Sequence, residues 1–200
     1  ATTGATEAAP VVAVNHPDRN RPGTVGQILP GIDWRLDPVE GIDEGGRLYL
    51  RGPNVMKGYL SPDNPSEIEP LKDGWHDTGD IVSIDGEGYI CILGRVKRFA
   101  KIGGEMVSLT AVEGLASAVW PASRHAVVSI PDSRKGEKLV LVTDRKDADV
   151  SRLAEWARSH GAPELAVPKK IMRVVEVPVL GTGKTDYVAI QQMAELDKAA

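Results

Sequence analysis

One cysteine, one phenylalanine and no long apolar run set the first limits on this 200-residue chain. Cys91 lies inside Tyr89-Ile90-Cys91-Ile92-Leu93, so no disulfide can form within the chain, which suits a reducing cytoplasm. In such a run it reads as a small buried hydrophobe rather than a catalytic thiol. With one Phe, four Trp and four Tyr, the core must rest on Val, Ile, Leu and Ala. No stretch approaches the roughly 20 apolar residues that a transmembrane helix requires, and no signal peptide is visible. The net charge of −4 argues against nucleic-acid binding, which usually brings a basic domain. The chain begins with Ala rather than Met and opens in mid-motif, which predicts a piece of a longer protein.

What is present divides into two textures. Residues 1–95 are rich in Gly and Pro, with short apolar runs at 25–29, 33–36, 47–51, 81–84 and 89–93 that read as strands. Pro30-Gly31, Asp43-Glu44-Gly45-Gly46, Gly52-Pro53 and Asp85-Gly86-Glu87-Gly88 separate them with turn chemistry. Asp85-Gly86 between two apolar runs is a hairpin signal, and the spacing predicts a small distorted β-barrel. Residues 96–200 are mixed. Ser108 can cap a helix presenting Leu109, Val112, Leu115, Ala116 and Val119, stopped before Pro121. Asp149 precedes a second helix with Val150, Leu153, Ala154 and Ala157 inward and Gly161 as its stop. Residues 125–130, 138–143 and 170–177 read as strands, and 186–197 as a last helix. The fold class is therefore α+β, a β-rich subdomain followed by a compact α+β domain. The glycine-led, charged junction Gly94-Arg95-Val96-Lys97-Arg98 suits a hinge or an ordinary linker.

Five segments stand in a fixed order: Gly4-Ala5-Thr6-Glu7, Gly52 to Tyr59, Gly74-Trp75-His76-Asp77-Thr78-Gly79-Asp80, Gly94 to Glu105, and Gly181-Thr182-Gly183-Lys184-Thr185-Asp186. Each alone is common loop punctuation. Together they resemble the adenylate-forming superfamily of acyl-CoA synthetases, nonribosomal adenylation domains and luciferases. That resemblance implies the end of a large AMP-binding domain at 1–95 and the small mobile C-terminal domain at 96–200. It also implies a reaction in which a carboxylate joins the α-phosphate of ATP and the acyl group then passes to a thiol. Two anions are brought together in the first step, which calls for cations and directed donors.

By match to the family's motifs, Thr6 would contact the α-phosphate and Glu7 would bind Mg²⁺, a hard cation that takes few protein ligands. Thr3 stands before Gly4 where the family usually has an aromatic against adenine. Asp80 would accept the ribose hydroxyls, two donors onto one carboxylate, with Arg95 nearby. Lys97 falls at the hinge position about which relatives rotate the small domain. Lys101 matches a lysine brought inward in the second orientation, and Gly103-Gly104 borders the pantetheine channel, where missing side chains admit a thin thiol arm. Lys184 would be the catalytic lysine, closing an ammonium over carboxylate and phosphate. Taken singly, these residues have bland alternatives: a helix-capping Thr6, a turn Asp80, solvated Arg95 and Lys184.

Tyr187 holds the position where the family often has Arg. The Gly-Lys-Thr-Asp-Tyr ending resembles the acyl-acyl-carrier-protein synthetase half of bacterial bifunctional 2-acylglycerophosphoethanolamine acyltransferases. The implied substrates are ATP, a fatty acid, and acyl carrier protein or CoA. Arg124, Arg134, Lys135, Lys138, Lys169 and Lys170 could meet an acidic carrier, or form a solvated charged face. No phosphate loop ending in Lys-Gly and no His-x₄-Asp acyltransferase signature occurs. The expectation is a part that needs the upstream remainder of its domain and is inactive alone. The implied location is cytoplasmic, with any inner-membrane association made through the rest of a longer protein. Two other readings stay open: a stand-alone carrier-protein docking module, and an acyl- or aryl-CoA ligase of other substrate.

Overall fold

Two units make up the chain, Ala1–Lys97 and Arg98–Ala200, each with its own core. The computed structural model describes residues 2–61 and 63–199. Lys97 is the last residue of the first unit, and the division falls just past the change of texture.

The first unit is built of strands. β1 (Thr2–Gly4), β2 (Val11–Val14) and β3 (Gln27–Ile28) form one antiparallel sheet. A second, four-stranded sheet contains β4 (Asp33–Asp37) and β5 (Gly46–Arg51). β6 (Gly58–Ser61) and β7 (Asn64–Pro70) pair as a separate ribbon. β8 (His76–Ile84) and β9 (Ile90–Arg95) complete the second sheet, whose order is β4-β5-β8-β9. Leu48 and Leu50 of β5 alternate inward to join Val12, Val82 and Ile90 in the core. The β8–β9 connection is the expected hairpin, with Asp85 Oδ1 accepting from the Glu87 and Tyr89 N–H groups at 2.9 Å each.

The barrel itself is a correction. Among the described residues the first unit's strands lie in three sheets and close no barrel. Among those residues β6 and β7 pair only with each other, so the ladder of the β4-β5-β8-β9 sheet is not carried on through them. The first two sheets meet at an isolated bridge, Gln27 with Tyr89.

In the second unit, β10 (Phe99–Ile102) and β11 (Glu105–Ser108) make a hairpin, followed by α1 (Leu109–Val119). Next come β12 (His125–Asp132), β13 (Gly136–Thr143), α2 (Val150–Ser159), β14 (Lys170–Arg173) and α3 (Tyr187–Ala199). The sheet runs β11-β10-β13-β12, with β14 beside β13 in parallel. Both helix caps form as read: Ser108 Oγ accepts from Ala111 N at 3.3 Å, and Asp149 Oδ1 from Ser151 N and Arg152 N. β12 and β13 are continuously apolar over residues 126–128 and 139–142 because the sheet is covered on both faces there. Val127, Leu139 and Leu141 point to the α1 and α2 side, while Ala126, Val128, Val140 and Val142 point to the α3 side. The last strand is shorter than expected and ends at Arg173. Beyond it Val174 N still donates to Thr143 O at 2.9 Å, but Val175 turns fully outward.

Candidate active site

The Thr-Gly-Asp segment sits in a strand with an irregular register. Tyr49 pairs with Asp77 and Arg47 with Ile81, so Thr78, Gly79 and Asp80 stand opposite Leu48 alone. The backbone bond lost there is replaced by a side chain: Thr78 Oγ1 donates to Leu48 O at 2.8 Å and accepts from Asp80 N at 3.1 Å. Bulges of this kind bend a strand and re-aim its side chains. Asp80 then lies across the β8–β9 ladder from Arg95, whose Nε is 3.1 Å from Asp80 Oδ1. The carboxylate is inset, 20% exposed, while Arg95 is 72% exposed above it. Burial pushes the Asp80 carboxyl above its usual range; Arg95 opposes the rise and the charge of Asp77 adds to it.

Asp77 goes the other way. Burial would raise it, but the hydrogen bonds from Arg47 and the Gly79 N–H, with the Arg47 charge, hold it below the usual carboxylate range. The Arg47 guanidinium grips it with both Nε, at 2.8 Å from Oδ1, and Nη2.

Thr6 and Glu7 occupy a short 3-10 turn, Thr6–Ala8, after β1. The turn has no side-chain cap, so Thr6 is an exposed hydroxyl and not a capping residue. Met56 N donates to Glu7 O at 2.8 Å and Asn54 Nδ2 to Ala8 O at 2.8 Å, so the Gly52–Tyr59 segment fixes the turn from below. At Gly4 a Cβ would stand 1.9 Å from Pro10 O, and only glycine permits this approach of β1 to β2. The Tyr59 phenol is pushed up by burial and by the charges of Glu7 and Asp77. Glu7 is a single half-buried carboxylate, and no group of three or more metal-binding side chains occurs among the described residues. That fits Mg²⁺ held by one carboxylate with nucleotide phosphates as its other ligands.

In the second unit Lys101 lies exposed on β10, its N–H donating to Glu137 Oε2 at 2.6 Å. Gly103 and Gly104 are the two central residues of the β10–β11 turn, at φ +61° and +95°. This is the type I′ hairpin geometry, which requires positive φ at both positions. A Cβ added at either position would meet nothing within 4 Å. Lys184 is exposed on the returning arm of a small hairpin, after its Gly181-Thr182 turn and next to the closing Val179–Thr185 bridge. Leu180 N donates to Lys184 O at 2.8 Å, Gly183 N to Leu180 O at 2.8 Å, and Asp186 N to Pro178 O at 3.0 Å.

Three residues were given no role by the sequence. Arg98 Nη2 lies 2.6 Å from Glu113 Oε1, and its Nη1 donates to Val127 O at 2.9 Å. Tyr187 donates its O–H to Glu113 Oε2 at 3.2 Å, and the guanidinium lies 3.8 Å from the Tyr187 ring centre. Arg98 follows the hinge position and Tyr187 follows the lysine motif, which was the available signal; Glu113 read only as a helix residue. Of the basic residues expected to face an acidic carrier, Arg134, Lys135, Lys138 and Lys169 line one groove of about 320 Å³ together with Asp132, Glu137 and the apolar Ile102, Leu139 and Leu165. Lys170 is instead paired with Asp197 at 2.5 Å.

Comparison with known proteins agrees with this architecture. Residues 2–60 match the family described as AMP-binding enzyme. A feruloyl-CoA synthase of Amycolatopsis is 34% identical over 193 residues, covering 90% of this chain and 38% of the relative. A long-chain-fatty-acid–CoA ligase of Salmonella typhimurium is 32% identical over 189 residues, 90% of this chain and 33% of the relative. ATP-bound MatB from Rhodopseudomonas palustris shares the fold with a TM-score of 0.75 at 28% identity, over 93% of this chain and 39% of that one. By sequence and by fold the chain is similar to the AMP-binding, adenylate-forming superfamily, whose matched members include acyl- and aryl-CoA ligases. It spans well under half the length of these relatives. Among the described residues no helix is long and apolar enough to cross a membrane.

Proposed function

We propose that this chain is the C-terminal part of an ATP-dependent acid–thiol ligase that forms an acyl adenylate and then a thioester. The observation that carries the reading is the bulge at Thr78-Gly79-Asp80, which insets one carboxylate under Arg95 just ahead of Lys97. An inset acceptor with a cation at its rim suits vicinal ribose hydroxyls. In this reading Thr6 contacts the α-phosphate, Glu7 holds Mg²⁺, and Asp80 and Arg95 bind the ribose. Lys97 is the hinge between the end of the large domain and the small domain. Lys184 offsets charge as carboxylate meets phosphate, Lys101 serves the second half-reaction, and Gly103-Gly104 borders the thiol channel. The fatty or aryl acid binds upstream of these residues, and this chain alone is inactive.

The test is acid-dependent ATP–pyrophosphate exchange in the full-length enzyme with Lys184→Ala. Exchange should vanish while thiol transfer from preformed adenylate survives; unchanged exchange would remove Lys184 from the chemistry.

A second reading concerns the thiol acceptor. The groove lined by Arg134, Lys135, Lys138 and Lys169 against Asp132 and Glu137 keeps an excess of positive charge, which favours an anionic acceptor. An acyl carrier protein and a fatty acid would join this chain to the acyl-carrier-protein synthetase branch; CoA would join it to the CoA ligases. Transfer assayed to each acceptor separates them, and transfer to CoA alone would sink the carrier reading.

A further inference from the structure

Where Thr78, Gly79 and Asp80 face Leu48 alone, side chains of β8 itself meet the backbone N–H groups that the ladder leaves over. Asp77 Oδ1 accepts from the Gly79 N–H at 3.0 Å, and Thr78 Oγ1 accepts from the Asp80 N–H at 3.1 Å. A side chain that reaches the N–H two residues on turns the backbone without a ladder bond. Between the two acceptors Gly79 sits at φ +70°, a left-handed conformation open to glycine at no steric cost. Asp80 leaves this turn to pair with Arg95 across the β8–β9 ladder.

The first of these acceptors is held in its rotamer from the neighbouring strand. Tyr49 stands opposite Asp77, so Arg47, two residues along β5, is the diagonal neighbour on the same face. Its Nε donates to Asp77 Oδ1 at 2.8 Å, the same oxygen that takes the Gly79 N–H, and its Nη2 donates to Oδ2. Both oxygens of Asp77 are thereby engaged, while Asp80 is met by Arg95 at one. Two side-chain ties then join the head of the bulge to β5: Arg47 to Asp77, and Thr78 Oγ1 to Leu48 O at 2.8 Å.

We propose that Asp77, clamped by Arg47, is a positioning residue that holds the Thr78-Gly79-Asp80 bulge and so aims the Asp80 carboxylate at the ribose hydroxyls. The proposal rests on the reading of Asp80 given above and extends it to two residues that act through Asp80 rather than on the nucleotide. Two hydroxyls donating to one carboxylate require direction as well as distance, because hydrogen bonds weaken steeply when bent. Once Asp77 releases the Gly79 N–H, that group lacks its partner and the bulge gains freedom to carry Asp80 elsewhere. The loss falls on the two hydroxyls and spares the rest of the nucleotide.

The experiment measures, by isothermal titration with the full-length enzyme, the affinity for AMP and for dideoxy-AMP, in which both ribose hydroxyls are replaced by hydrogen. The parent should prefer AMP by about 10-fold or more, the scale of hydrogen bonds to a charged acceptor. Asp77→Ala should cut that preference to about 2-fold or less, by weakening AMP and leaving dideoxy-AMP nearly unchanged. Arg47→Met leaves the acceptor in place but unclamped, should give an intermediate preference, and carries the test if Asp77→Ala does not fold. Both variants should melt lower than the parent, so the ratio of the two affinities is the readout. A merely structural role would weaken both nucleotides alike and leave the ratio at the parent's value, which would overturn the proposal. Asp80→Ala, run in parallel, separates the two ideas. If the parent shows no preference, or Asp80→Ala keeps it, the ribose reading falls and takes this proposal with it. If Asp80→Ala abolishes the preference while Asp77→Ala and Arg47→Met keep it, the ribose reading stands and the positioning role falls.

Discussion

Asp77 and Asp80 lie on the same strand, either side of one bulge, and their surroundings drive their carboxyls in opposite directions. Arg47 holds Asp77 from both ends of its guanidinium, whereas Asp80 is inset and met at one oxygen by an exposed Arg95. The first is a structural ion pair; the second keeps a carboxylate in a place it would not choose.

Asp80→Asn should therefore stabilise the fold at neutral pH while weakening nucleotide binding in the full-length enzyme. A carboxyl raised above 3.8 in the folded state loses stability as pH climbs from below 3.8 through the raised value. The variant has no such loss. Its advantage in melting temperature should shrink as pH falls below 3.8, and isothermal titration with AMP should show weaker binding. A variant no more stable than the parent at neutral pH would contradict this.

Arg47→Met should show the reverse pattern. Asp77, depressed below 3.8, contributes stability above that value and loses it as pH falls through the folded value. The variant should melt lower than the parent at neutral pH, with the gap closing in acid. Denaturation curves across that range would show it by slopes opposite in sign to those of Asp80→Asn.

Gly104→Ala meets open space, so its cost is backbone strain alone. At φ +95° an L side chain is strained, and the left-handed region costs about 1–2 kcal/mol. The loss should be confined to the β10–β11 hairpin, measurable as faster amide exchange there. In the full-length enzyme the proposed channel role predicts slower thiol transfer with adenylate formation intact.

Asp149→Ala removes the acceptor for the Ser151 and Arg152 N–H groups at the start of α2. A lost cap of this kind costs about 1 kcal/mol. Urea denaturation of the full chain should show it, and Asp149→Ser should restore most of it.

That cap was legible because Asp149 directly precedes residues spaced for one helical face, and Ser108 did the same for α1. β5, β12 and β13 were legible from apolar patterning. β7 was not: Asn64-Pro65-Ser66-Glu67-Ile68-Glu69-Pro70 is exposed along its whole length and carries no apolar period. β10 and β11 were hidden differently, because the segment read as a motif rather than as alternation across the Gly103-Gly104 turn. At the site, motif spacing named Asp80 and Arg95 but could not reveal the bulge, which is a property of register with β5. Glu113 meets Tyr187 across the fold, at a sequence separation no periodicity reports.

The sheet of the second unit is covered unequally. α1 and α2 seal one face with an extensive cluster that includes Leu109, Val112, Trp120 and Leu153. On the other face α3 seats Ile190 and Ala194, and leaves Val188 and Leu196 in water. Layers held by fewer buried contacts open at lower free energy than the body they cover. α3 is thus the cover expected to loosen first, and amide exchange along it should outpace that of α1. Lys184 lies three residues before α3, so the place of this lysine rests on the smaller of the two clusters and the durability of the domain on the larger.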